Sequence, residues 1–256
     1  MITLIGSRET GLQIMRESLT SVKKFSFELG GNAPVIVDED ADIKQTSAAI
    51  VAKKVGFAGQ TCVNYNRIYV HEKIYPALCK AVEEELSKVV LGKWKDPGYV
   101  MGPLIDCDAR DYMLDLIADA VNSGARLVMG GEVPKKFSKG SSMTPALLVD
   151  VNDTMRVSTE EIFGPIIPLQ SFSDFDEVLK KANNTIYGLS SYYYGHDARR
   201  IAKAFEELRA GEIFINGCPG IEQAPHAGVK QSGIGCDKSK WSLEEYLDFK
   251  YLAMIP

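Results

Sequence analysis

Histidine is scarce in this 256-residue chain, and none of its five cysteines stands in a C-x-x-C pair. The cysteines (Cys62, Cys79, Cys107, Cys218, Cys236) and the histidines (His71, His196, His226) are far apart. That spacing offers neither a disulfide framework nor a metal-ligand motif, so no metal is expected. No apolar run approaches the ~18 residues that cross a bilayer. The opening MITLIGSRETG has neither the basic region nor the apolar stretch of a signal peptide. The expectation is a cytoplasmic protein with no membrane partner. An excess of basic charge is also lacking: 29 Lys and Arg stand against 34 Asp and Glu, a net charge of −5. Lys53-Lys54, Lys135-Lys136 and Arg199-Arg200 are short pairs read as solvated faces, which argues against a nucleic-acid partner.

What is present is an alternation of strands and helices. Ile2-Thr3-Leu4-Ile5 reads as a buried strand that turns at Gly6-Ser7 into a helix carrying Leu12, Ile14, Met15 and Leu19. Phe25–Leu29 and Pro34–Val37 read as extended segments on either side of Gly30-Gly31. A helix follows over Asp42–Val55, with Asp42 at its cap. After a strand at Ile68–Val70, apolar positions from Ile74 to Val89 recur at helical spacing, and Cys79 among them reads as a packing residue. Further helices are expected over about Ala109–Asn122, Asp174–Ala182 and Asp197–Leu208. Further strands are expected at Arg126–Met129, Pro145–Val149, Ile166–Phe172, Ser190–Tyr194 and Glu212–Asn216. The alternation predicts an α/β fold whose mostly parallel sheet is covered by helices. Gly217–Lys240 reads as a long ordered loop of the functional kind. Tyr246–Ile255 alternates like a last strand that pairs with another subunit.

Four places offer chemistry. Cys62, in Gly59-Gln60-Thr61-Cys62, reads either as a small buried hydrophobe or as an exposed nucleophile among small polar neighbours. Glu28 lies between Phe27 and Leu29, next to paired glycines. It is either a solvated edge residue or a desolvated general base. Glu161 precedes Ile162-Phe163-Gly164-Pro165, a sequence that a turn before a strand would also explain. Gly6-Ser7 could present backbone N–H groups to a phosphate, although the full G-x-G-x-x-G pattern is not there.

Taken in order, these segments resemble the aldehyde dehydrogenase superfamily along nearly the whole chain. Leu4 to Gly11 resembles its cofactor-side glycine–serine turn, Phe27 to Pro34 its glutamate motif, Gly59 to Cys62 its cysteine motif and Glu160 to Pro165 its second glutamate motif. Gly228-Val229-Lys230-Gln231-Ser232-Gly233, with Glu245-Tyr246 and Lys250-Tyr251 beyond, resembles the C-terminal signature. The resemblance implies a three-layer catalytic domain over residues 30–240. It also implies the end of a nucleotide-binding domain over 1–29 and an oligomerisation strand over 241–256. Cys62 would attack a small aldehyde, and Glu28 would activate the water that hydrolyses the thioester. NAD or NADP would be held by Gly6, Ser7, Leu29, Glu161 and Phe163. Retention of Glu28 implies a free acid product rather than an acyl-CoA.

The departures are informative. The wording Glu-Leu-Gly-Gly-Asn-Ala-Pro is similar to the succinate-semialdehyde dehydrogenase branch, but Gly56 stands where that branch carries a carboxylate-gripping arginine. Asn64 takes the place of a neighbouring cysteine found in redox-regulated members. Pro225-His226-Ala227-Gly228 replaces the usual Pro-Phe-Gly-Gly, implying a more polar pocket that suits a small hydroxyaldehyde. Lactaldehyde, glyceraldehyde and succinate semialdehyde stay open as substrates. The resemblance covers only the second half of the family's length. It implies a homo-oligomer, with the missing half either a separate N-terminal polypeptide as partner or absent from a truncated catalytic domain. The alternative is a non-catalytic remnant serving as a binding or assembly module.

Overall fold

The computed structural model describes residues 1–256. In chain order the elements are β1 (Ile2–Ile5), α1 (Arg8–Glu17), β2 (Phe25–Glu28), β3 (Ala33–Val37), α2 (Ile43–Val55) and β4 (Tyr65–His71). There follow α3 (Tyr75–Leu86), α4 (Cys107–Asn122), β5 (Arg126–Met129), β6 (Ala146–Val149), α5 (Arg156–Thr159) and β7 (Ile166–Phe172). The chain continues with α6 (Phe175–Asn183), β8 (Ser190–Tyr194), α7 (Ala198–Glu207), β9 (Glu212–Ile215), β10 (Gly233–Ile234) and α8 (Ser239–Glu244). Aspartates start many of these helices. Asp42, Asp106, Asp174 and Asp197 each accept a backbone N–H of the first turn, satisfying donors that the helix itself cannot.

The main sheet has seven strands in the order β5-β6-β7-β4-β3-β8-β9. Every pairing is parallel except that of the edge strand β5 with β6. Its central strands are buried along their whole length, as a sheet covered on both faces requires. Side chains alternate between two cores at the two-residue strand period. Val35, Val37, Ile68, Val70, Tyr192 and Tyr194 enter the larger core with Ile50 of α2, Leu78 of α3 and Leu116 of α4. Ile36, Tyr69 and Tyr193 point the other way, against Val178 of α6 and Ala204 of α7. The result is three layers.

A second sheet of three strands has the order β1-β2-β10, with β1 parallel and β10 antiparallel to β2. Glu28 ends β2, and Leu29 to Asn32 then cross directly to β3 in the main sheet. The junction between the two sheets is therefore where the candidate residues converge.

Three expectations need correction. The third helix stops at Leu86 rather than Val89, because Val90 turns away to bond Met101 and Leu91 bridges that residue. Gly217–Lys240 is not all loop, since it contains β10 and the start of α8. Tyr246–Ile255, expected to pair with another subunit, pairs with no strand of its own chain, and Phe249, Tyr251 and Ile255 are almost fully exposed. Lys54 is not solvated. It is completely buried with its ammonium on Asn66 Oδ1 at 3.1 Å, and burial pushes its pKa well down.

Candidate active site

Cys62 follows a turn that L-residues adopt only at a cost. Phe57, Ala58 and Gly59 have φ of 50°, 54° and 75°, three left-handed residues in succession. Each non-glycine residue there costs about 1–2 kcal/mol, so the surroundings must fix the shape. Asn64 does much of this. Fully buried, it donates from Nδ2 to Gly59 O at 2.6 Å and reaches Ile162 O and Gly164 O at 3.5 Å, while its Oδ1 accepts Tyr65 N–H at 2.9 Å. Gln60 Nε2 donates to Phe57 O at 2.8 Å, and its Oε1 accepts Ile105 N–H at 2.8 Å. Tyr192 OH donates to Val63 O at 2.9 Å. The backbone N–H of Cys62 has no acceptor in the chain, leaving a donor beside the sulfur. Asn64→Ala should cost about 1–3 kcal/mol, the usual consequence of stranding buried polar groups, and a urea midpoint checks it.

Glu28 meets this turn from the end of β2. The Cys62 thiol is 3.5 Å from Glu28 Oε1. On the same carboxylate oxygen sits His226 Nε2, whose ring is fixed from behind by Glu212 Oε1, 2.9 Å from Nδ1. Hydrogen bonds with Cys62, Glu212 and Glu28 outweigh desolvation and lift the His226 pKa to about 12. The hydrogen bond from His226 correspondingly holds Glu28 below the usual carboxylate range, against the opposing pull of burial. At neutral pH this is an imidazolium between two carboxylates.

Glu161 lies across the Gly30-Gly31 crossing. Its Oε1 accepts the Gly31 N–H at 2.8 Å, and its Oε2 bonds to no other group of the chain. A Cβ on Gly30 would collide with that oxygen, so glycine opens the space. Desolvation pushes Glu161 up to about 7 despite the Gly31 hydrogen bond. Because the folded-state pKa lies above the usual value, Glu161 binds more protons folded than unfolded between about pH 4.5 and 7. Its contribution therefore falls as pH rises through that window. Thermal midpoints at pH 5 and pH 8 should differ less in Glu161→Gln than in the parent.

The structure brings some of the other named residues to this centre and not others. Phe163 is 44% exposed, open to a flat ring-shaped partner. Ser7 is exposed and caps α1, accepting Thr10 N–H at 3.2 Å, and Gly6 N–H donates to Glu28 O at 3.0 Å. Leu29 is buried, with methyl groups against Gly11 and its N–H on Ser232 O at 2.8 Å. Gly56 caps the end of α2.

Three contributors were not assigned to the centre from the sequence: Asn64, Glu212 and His226. His226 had a signal in its substitution into the C-terminal signature, whereas Glu212 is separated from its partners by most of the chain. A cleft lined by Val63, Phe214, Ile221, Pro225, His226 and Glu212 leads to the cysteine turn. Two groups of side chains have the composition to hold a metal ion, Glu28–Cys62–His226 and Asp38–Glu39–His71. The second is already served by cations, with Arg200 on Asp38 at 2.5 Å and Lys73 on Glu39.

Comparison with known proteins places the chain among relatives. The Aldehyde dehydrogenase family profile matches residues 1–252. A probable succinate-semialdehyde dehydrogenase (NADP(+)) of Sinorhizobium fredii is 43% identical over 254 residues, covering 99% of this chain and 51% of the relative. The crystal structure of an Escherichia coli NADP dependent enzyme superposes with a TM-score of 0.94 at 41% identity, covering 98% of this chain and 52% of that one. A lactaldehyde dehydrogenase structure from the same organism gives 0.92 at 36% identity, over 96% and 52%. The chain thus spans about half the length of the curated relatives it matches. No helix is long and apolar enough to cross a membrane.

Proposed function

The chain belongs to the aldehyde dehydrogenase family, and from that premise we propose that it carries the covalent machinery oxidising a small aldehyde to its carboxylic acid with NAD or NADP. The observation that carries this reading is Cys62 itself, on a strained turn, with a free backbone N–H and a carboxylate 3.5 Å from its sulfur.

In this reading Cys62 attacks as the thiolate, its proton passed to solvent: Sγ adds to the carbonyl carbon, and the resulting oxyanion faces the Cys62 N–H. When bound, the oxidised nicotinamide supplies the acceptor for the hydride that leaves the former aldehyde carbon, and a thioester on Cys62 results. Glu28, kept ionised by His226, accepts a proton from the water that attacks the thioester. The C–S bond then breaks and releases the acid and the thiolate. The residues present fit a dinucleotide. Glu161 Oε2 is free to accept from ribose hydroxyls, Phe163 offers an exposed ring, and the Gly6-Ser7 turn opens a helix.

Residues 1–29 are assigned to the nucleotide-binding domain, 30–240 to the catalytic domain and 241–256 to pairing with a second copy. The rest of the cofactor grip is assigned to a segment equivalent to the other half of the relatives, whether in the same polypeptide or in a separate N-terminal half. His226 and Glu212 in the cleft, with Gly56 in place of an arginine, favour a small hydroxyaldehyde over a dicarboxylate semialdehyde.

The test is NADH and NADPH formation by the purified chain with lactaldehyde, glyceraldehyde and succinate semialdehyde, beside a Cys62→Ala control. Turnover confined to the parent supports the reading. Equal rates in parent and control overturn covalent catalysis, and no turnover in either sinks stand-alone activity.

A further inference from the structure

We propose that Cys62, His226 and Glu28 form a three-ligand site for a single zinc ion. The proposal goes beyond the dehydrogenase reading, and its binding test needs no turnover.

The donor set is the first argument. A thiolate, an imidazole and a carboxylate are a combination that zinc prefers among common divalent ions. The three ligand atoms all lie within 4.8 Å of one another, and Cys62 Sγ is 3.5 Å from Glu28 Oε1. Tetrahedral zinc with ordinary Zn–S and Zn–N bond lengths separates its ligands by about 3.3–3.6 Å, so small side-chain rotations suffice. The ligands come from three independently anchored segments: the end of β2, the left-handed turn, and a loop held by the bridge between His226 and Asp237.

The second argument is the group behind the histidine. Glu212 Oε1 sits 2.9 Å from His226 Nδ1, which turns Nε2 toward Cys62 and Glu28. A carboxylate in that position is the usual outer partner of a zinc-bound histidine; it fixes the tautomer and strengthens the ligand.

Charge is the third. Glu28 and Glu212 have no lysine or arginine partner, and His226 alone balances both carboxylates. This sets the group apart from Asp38–Glu39–His71, where Arg200 and Lys73 already supply positive charge. A dication at Cys62 takes the place of the Sγ and Nε2 protons, which pass to solvent, so the net charge of the cluster is unchanged and no further counter-charge is required. The cleft leaves a fourth ligand position for water. Zinc and an aldehyde would compete for the same sulfur, making the ion a reversible inhibitor.

The experiment titrates the chelator-stripped chain with zinc against a chromophoric chelator, and with cobalt(II) to read the thiolate-to-metal charge-transfer absorption. One ion per chain is expected. Cys62→Ser should abolish the charge-transfer absorption, and both His226→Phe and His226→Gln should abolish stoichiometric binding. Glu212→Gln should weaken it by about 10–100-fold, and Cys107→Ser, at an exposed thiol, should leave it unchanged. Absence of stoichiometric binding by the parent overturns the proposal. So does a charge-transfer band that survives Cys62→Ser, or an affinity indifferent to both His226 variants in chains with parental circular dichroism.

Discussion

Cys62→Ala is expected to lower aldehyde oxidation by at least about 10⁴-fold, as loss of a covalent nucleophile does when the remaining groups act only in concert with it. Glu28 could still polarise a water, and the backbone N–H at position 62 would still be free. Without sulfur, however, no thiohemiacetal forms and the hydride has no activated carbon to leave. Stability should barely change, because Cys62 is only partly buried and its thiol's hydrogen bond to Glu28 is long, at 3.5 Å. Steady-state NAD(P)H formation and a thermal midpoint measured on the same preparation separate the two effects. A variant that keeps more than a hundredth of the parental rate would remove Cys62 from the mechanism.

Gly31→Ala should damage the protein without removing any reacting atom. A Cβ at this position would fall on the carbonyl oxygen of Cys62, far inside contact distance, with Leu189 Cβ only 3.5 Å away on another side. Backbone cannot swing aside as a flexible side-chain tip can. Overpacking of this kind costs about 1–3 kcal/mol, and displacement of a catalytic group by about 1 Å costs on the order of 10² in rate. The Gly31 N–H also donates to Glu161, so the same shift would loosen the proposed ribose contact. The expected result is a lower urea midpoint together with a lower kcat. An unchanged kcat beside a lowered midpoint would show that the crossing supports the fold but does not set the position of the nucleophile.

The legible part of this protein was the part governed by short-range physics. Strand and helix alternation was plain because β3 is a continuous apolar run, β4 and β8 contain Ile68-Tyr69-Val70 and Tyr192-Tyr193-Tyr194, and aspartates mark several helix starts. Cys62, Glu28 and Glu161 were singled out by the resemblance of their motifs, each having a plain structural reading on its own; the fold puts Cys62 3.5 Å from Glu28 and Glu161 on the Gly31 N–H. Boundaries failed where long-range pairing decides, as at Val89–Leu91, which leaves a helical pattern to meet Met101. The tail, Tyr246–Ile255, is a strand only where another strand accepts its hydrogen bonds, and a second copy is the partner proposed for it. Lys54 was misjudged because a basic pair looks solvated until the helix phase is known, and α2 turns one lysine inward. The Glu28–His226–Glu212 chain was invisible for a different reason. Nothing local connects residues on β2, β9 and the late loop; the crossing between sheets does.

The turn that carries Cys62 is held by polar side chains of three residues. Asn64 ties it to the carbonyls of Ile162 and Gly164, Gln60 to Ile105, and Tyr192 to Val63. Apart from Val63, the cleft wall comes from residues 211–226 and Lys238. In the proposed reading the nucleophile's turn and most of the substrate wall come from different segments of the chain, which meet at Val63 and His226. In that reading, substitutions at Ile221 or Ala224 would reshape which aldehyde enters without disturbing the sulfur's placement, whereas Phe214 stacks on Tyr192, which holds Val63. A lineage could change its diet many times while keeping the same cysteine turn, and directed evolution of this chain should begin on that wall.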